Sequence, residues 1–231
     1  MKIFFIRAKT IIALVIVSII TALSCVGVVQ IKQANALSKN GYKIVIDAGH
    51  GGIDGGVVGA DGKTKESTIN LYIAKILANT LSRKGYTVTL TRKTDAGLYS
   101  SSAASKKLSD MQKRKEIINE IEPHLVISIH QNSYPSQKVS GAQVFYSSLQ
   151  EESKDFANLL QNDFNEFLSQ NKQSKLADYY ILQCSSYPSL LVECGFMSNA
   201  TEFNKLLDKS YREKLAKVIA NSVDKMFGIT A

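Results

Sequence analysis

Proline and cysteine are both scarce in this chain, with three of each in 231 residues. So little proline excludes a collagen-like or polyproline build, and three cysteines are too few for a small disulfide scaffold. No Cys-x-x-Cys pair and no Cys/His finger spacing occurs, which removes thioredoxin chemistry and a structural zinc knuckle. Cys25 falls in an apolar N-terminal stretch, leaving Cys184 and Cys194, which read as free, partly buried thiols. A dense block of lysine and arginine is also missing. The formal charge of +8 is unevenly spread, because Lys2, Arg7, Lys9 and Lys32 have no acid among the first 36 residues. The remainder holds 24 basic against 20 acidic side chains, a balance that does not call for nucleic acid. With 45% hydrophobic and 21% charged residues, disorder is excluded and residues 37–231 have the length of one well-packed domain.

The first 36 residues stand apart. Three cations precede an uncharged, mostly apolar run from Thr10 to Gln30, and Ala34-Asn35-Ala36 supplies a small-x-small cleavage site. This is the pattern of an export signal cleaved after Ala36, with a retained single-pass anchor over residues 10–30 as the other reading. Ala22-Leu23-Ser24-Cys25 is only a faint lipoprotein box. Either reading places the domain outside the cytoplasmic membrane.

Along the domain, short apolar runs alternate with stretches of helical periodicity. Strands are expected at Lys43–Asp47, Tyr86–Arg92, Leu125–Ile129, Ala142–Ser147 and Ser189–Glu193. Ile69, Ile73, Ile76, Leu77 and Leu81 repeat at helical spacing after Glu66, and Gly85 marks that helix's end. Further helices are expected over Lys107–Ile121, Glu151–Gln170 and Tyr211–Met226, with a serine-rich loop over Leu98–Lys106. The alternation, with several strands apolar throughout, predicts a single α/β domain whose mixed or mostly parallel sheet carries helices on both faces.

Ligand sites of open α/β sheets lie beyond the carboxyl ends of the strands. Those ends here are Asp47-Ala48-Gly49-His50-Gly51-Gly52, Ser128-Ile129-His130-Gln131-Asn132 and Val192-Glu193-Cys194-Gly195-Phe196, and Glu66 opens a helix on the same rim. Two of the three histidines and two carboxylates therefore converge on one edge. Two imidazoles and a carboxylate suit one zinc ion with an open fourth position, and a second carboxylate can serve as proton acceptor and donor. His50, Glu66 and His130 as ligands, with Glu193 as base, fill each role once. Taken singly, His50 could be a turn residue and Glu66 a helix-terminal carboxylate favoured by the macrodipole. Glu193 fits a purely structural role poorly, because a carboxylate after Ser189-Leu190-Leu191-Val192 is desolvated unless something pairs with it. His124 precedes its strand, lies at the opposite edge and reads as structural. A nucleotide site is not supported. Gly49-His50-Gly51 begins a glycine fingerprint, but Asp54 stands at the sixth position, the helix starts much later, and no Gly-Lys-Ser/Thr occurs.

These segments, together with Asn70-Leu71, Leu90-Thr91-Arg92 and the continuation Met197-Ser198-Asn199, resemble the zinc-dependent N-acetylmuramoyl-L-alanine amidases of the amidase-3 type, from about Tyr42 to Met226. The resemblance implies zinc on His50, Glu66 and His130, catalysis by Glu193, and peptidoglycan as substrate. Ala48 stands where the family often has proline, and Ser67 where lysine is common. Asn70, Arg92, Arg114 and Asn132 are candidates for contacting glycan or peptide. The compact build, with an export segment and without wall-binding repeats, is similar to the germination-specific amidases of spore formers, which prepare cortex for muramic-δ-lactam formation. A forespore intermembrane location and an accessory or activator protein belong to that reading. The alternatives are a general wall autolysin, a silent peptidoglycan-binding module using the same groove, and a peptidase of the same metal chemistry.

Overall fold

The structure, a computed structural model, describes residues 41–229. The expected export signal or anchor lies outside the described residues.

Six strands form one sheet: β1 (Lys43–Ala48), β2 (Thr87–Leu90), β3 (Leu125–Asn132), β4 (Gln143–Tyr146), β5 (Lys175–Leu176) and β6 (Ser189–Phe196), in the order β2-β1-β3-β6-β4-β5. β2, β1, β3 and β6 run parallel, whereas β4 is antiparallel to β6 and parallel to β5. The helices are α1 (Glu66–Arg83), α2 (Lys106–Ile121), α3 (Glu151–Leu168), α4 (Tyr180–Gln183), α5 (Ala200–Leu207) and α6 (Lys209–Met226).

Alternate residues of β1 explain why both faces are covered. Ile44 and Ile46 join the larger core with Leu77 of α1, Leu160 of α3 and Ile219 of α6. Val45 points the other way, into a smaller core with Ile118 of α2 and Ile181 of α4. The sheet is thus a mixed, largely parallel one between two helical layers, as the alternation of runs implies. β3 and β6 each run three residues beyond the expected ends, which puts His130 on an ordered strand and Glu193, expected at a strand end, within one.

The helix ends have local causes, and α2 stops at Ile121 as expected. α2 ends on Glu122, which turns left-handed at φ 51° ahead of Pro123. The expected helix over Tyr211–Met226 is α6, and a helix the sequence reading did not include, α5, precedes it; Asp208 between them stays extended and caps α6 by accepting from Ser210 N at 2.7 Å. The serine-rich stretch before α2 is fastened by Asp110, whose Oδ1 accepts from Leu98 N at 2.6 Å.

Candidate metal centre and active site

The parallel strands end on one rim, and the candidate residues meet there. His50 follows β1 in a loop that reverses at once; its own φ is 60°, a left-handed conformation uncommon for a residue with a side chain. Two buried arginines fix that conformation from beneath. Arg114 donates from NH2 to the His50 carbonyl at 2.7 Å and from NH1 to that of Ala48 at 3.0 Å. Arg92 donates to the carbonyls of Ala48, Gly49 and Ser67 at 2.8–3.0 Å. Asp47 anchors the base of the loop: it pairs with Arg114 and accepts from Thr91 Oγ1 at 2.7 Å and Ser128 Oγ at 2.6 Å. Burial alone would raise the Asp47 pKa, but Arg114 and the two hydroxyls outweigh it and hold the carboxyl below its ordinary value.

Glu66 is the first residue of α1 and is buried. Its carboxylate accepts from the backbone N–H groups of Val57 and Gln131 at 3.0 and 3.1 Å and from Asn70 Nδ2 at 3.1 Å. It also faces both imidazoles, with Oε2 3.3 Å from His50 Nε2 and Oε1 3.0 Å from His130 Nδ1. Desolvation opposes the charge, and the two histidine contacts more than reverse that, so Glu66 titrates well below an ordinary carboxylate. The ligating atoms of His50, Glu66 and His130 all lie within 4.8 Å of one another. A tetrahedral shell with bonds of about 2.1 Å has donors about 3.4 Å apart, so this donor set fits one divalent ion. Gly49 makes room for the His130 imidazole, since a Cβ there would clash with the ring.

Glu193 sits beside His130, its Cα partner across β3 and β6. Its Oε2 is buried without a hydrogen-bond partner among the described residues, an expensive state for a carboxylate oxygen. Burial, helped by Glu66 and opposed by the histidines, pushes its pKa up to about 7. The whole assembly opens into a cleft of about 740 Å³ whose walls include Tyr99, Tyr179 and Tyr180.

A match to the family model described as Amidase_3, N-acetylmuramoyl-L-alanine amidase, spans residues 44–225. The chain belongs to the amidase-3 family. It is 34% identical over 197 residues to the germination-specific N-acetylmuramoyl-L-alanine amidase of Bacillus subtilis, covering 83% of this chain and 82% of that one. It is 32% identical to the amidase LytC of the same organism, over 83% of this chain and 37% of that one. Among solved structures, the CwlD amidase of Clostridioides difficile in complex with the GerS lipoprotein superposes with a TM-score of 0.78 at 35% identity, covering 82% of this chain and 100% of that one. The protein is accordingly a metal-dependent hydrolase of the amidase-3 family, with peptidoglycan as the substrate that membership implies.

The structure divides the residues singled out as possible substrate contacts. Asn70, Arg92 and Arg114 are buried, and their donors serve Glu66 and the carbonyls of the His50 loop. Asn132 lines the cleft. His124 lies at the opposite edge, where Nδ1 accepts from Lys43 N at 3.0 Å. Cys184 and Cys194 are buried free thiols. One participant escaped the sequence reading: Asp54, whose Oδ2 is 2.8 Å from His50 Nδ1 while Oδ1 accepts from Gly56 N at 3.1 Å. A carboxylate on Nδ1 leaves Nε2 with its lone pair toward the metal position. Its signal was its place four residues after a candidate ligand.

Proposed function

We propose that this protein hydrolyses the amide between the lactyl group of N-acetylmuramic acid and the L-alanine of the stem peptide. His50, Glu66 and His130 would hold one zinc ion, and Glu193 would be the proton carrier. The observation that carries the reading is the unpartnered, buried Oε2 of Glu193 beside the three-ligand cluster. Two imidazoles and a carboxylate are a donor set that zinc favours. Zinc, when bound, would supply Lewis acidity, acidifying a water and polarising the lactyl carbonyl. Glu193 takes a proton from the attacking water as its oxygen bonds to the lactyl carbon, and returns it to the alanine nitrogen as the C–N bond breaks. The products are a free lactyl carboxylate on the glycan and a stem peptide with a free amino terminus. Asp54 orients His50, and Arg92 and Arg114 keep the loop that presents it in its left-handed turn. A silent binding module would need none of this alignment.

The setting we infer is general hydrolysis of wall peptidoglycan outside the cytoplasmic membrane, reached through residues 1–36 as export signal or anchor, with residues 37–231 as the catalytic part. A second reading, preparation of spore cortex for muramic-δ-lactam formation, is favoured by the near-equal coverage of this chain and the germination-specific relative, 83% and 82%. The complex of the Clostridioides difficile amidase with a lipoprotein supports an accessory protein for this chain too. Mass spectrometry of purified peptidoglycan after incubation with the protein and zinc tests the reaction. Free stem peptides, each complete from its L-alanine amino terminus, and glycan with intact muramic acid are expected, whereas cleavage within the peptide would make it a peptidase. In a spore-forming source, a deletion strain whose cortex keeps its normal muramic-δ-lactam would remove the cortex reading and leave the amidase standing.

A further inference from the structure

A second cavity, of about 340 Å³, lies beside the metal cleft over β4, β5 and the end of β6. The two adjoin: Asn132 lines both, and Phe145 of the smaller cavity packs edge-on against Tyr179 of the cleft at 5.5 Å between ring centres. We propose that this cavity is a subsite for a carboxylate of the stem peptide, two or three residues beyond the scissile amide. The proposal rests on the amidase reading above and adds which part of the substrate is recognised, and by what.

Position argues first. Gln143, in the cavity wall, is the Cα partner of Glu193 across β4 and β6. Neighbouring strands are about 4.8 Å apart, so β4 and β5 lie about 5 and 10 Å to one side of the proton carrier. An extended peptide advances about 3.4 Å per residue. A chain leaving the cleft in this direction brings its second and third residues over the cavity.

Charge argues next. Lys172 and Lys175 line the cavity and no acidic residue does. The Lys172 ammonium lies 5.1 Å above the Phe196 ring and donates to the Gly141 carbonyl at 2.8 Å, which leaves donors for a ligand. The acid near Lys172 is Glu202, already engaged by the backbone N–H groups of Gly141 and Phe196 at 2.9 Å. Burial lowers the Lys172 pKa, Glu202 opposes that, and Lys175 adds to the lowering. Phe145, Phe196 and Val139 supply apolar walls for an aliphatic stem. An uncharged sugar would use the rings and bring no counter-charge to the two lysines; an acidic peptide residue uses both features.

The test compares two muramoyl-tripeptides, one with free carboxylates on its second and third residues and one with both amidated. Wild-type protein is expected to favour the free acid about tenfold in kcat/KM, carried by KM, the size of one charge-assisted hydrogen bond. In Lys172→Gln/Lys175→Gln that ratio should fall below about twofold. Lys175→Gln alone, on the exposed edge strand, should bring it to about threefold and guards against misfolding of the double variant. A wild-type ratio near one, or a tenfold ratio that survives in both variants, overturns the subsite. If the wild-type protein releases a stem peptide from neither compound, the amidase reading falls and takes the subsite with it.

Discussion

An imidazole ligand binds well only if its ring is already turned, and at His50 that task falls to Asp54 on Nδ1. Asp54→Ala should therefore weaken zinc binding by about ten- to a hundredfold in chelator competition, with Asp54→Asn in between, because an amide oxygen still accepts from Nδ1–H. Glu193→Gln should behave in the opposite way. Turnover should drop by about two to four orders of magnitude while bound zinc, measured by atomic absorption, stays near one per chain. Near-normal turnover would end its assignment as proton carrier. His50, Glu66, His130 and Glu193 could be picked out from the sequence because each stands where a strand ends or a helix begins on one rim. Asp54 could not, since an aspartate after Gly51-Gly52-Ile53 also reads as a turn residue. Arg92 and Arg114 were legible as important but not as buried. Nothing in their spacing tells that their guanidinium groups donate to the carbonyls of the His50 loop, Arg114 while also lining the cleft.

The tie that joins elements is Asp47–Arg114, where the end of β1 meets α2 under the metal loop. Because the folded pKa of Asp47 is depressed, its stabilisation is complete above the unfolded value near 3.9 and is lost as pH falls through the lower folded one. Thermal melts of wild type should thus steepen in their pH dependence below about pH 4. In Asp47→Asn that acid limb should flatten, and stability at pH 7 should fall by about 3 kcal/mol, since Arg114 loses a buried partner and keeps only Asp110. An acid limb unchanged in the variant would mean that other carboxylates govern it. At this scale five strands and the longer helices were readable from periodicity. β5 has two residues and α4 four, too few to show a period. α5 is only eight residues long and ends at Asp208, too short for its period to stand out.

Across the whole molecule, the metal cluster ties the β1 loop, the start of α1 and the end of β3, so a bound ion is also a cross-link of the fold. Zinc at a hundred times its dissociation constant adds about 2.7 kcal/mol, which for a domain of this size is about 5–10 °C in Tm. Chelation should abolish activity and lower Tm by that amount, and readdition of zinc should restore both; an unaltered melting curve would place the ion elsewhere or nowhere. The sheet order carries a consequence for how the protein is made. β6, the last strand in chain order, occupies the interior of the sheet between β3 and β4, and it brings Glu193 with it. Until residues 189–196 have been synthesised and inserted, β2-β1-β3 and β4-β5 lack the strand that joins them, and His130 has Glu66 but not Glu193 beside it. A growing or truncated chain that stops short of Ser189 contains His50, Glu66 and His130 and still lacks Glu193, the proposed proton carrier. On the reading proposed above, the capacity to cut a polymer that holds a cell together is thereby withheld until β6 is in place.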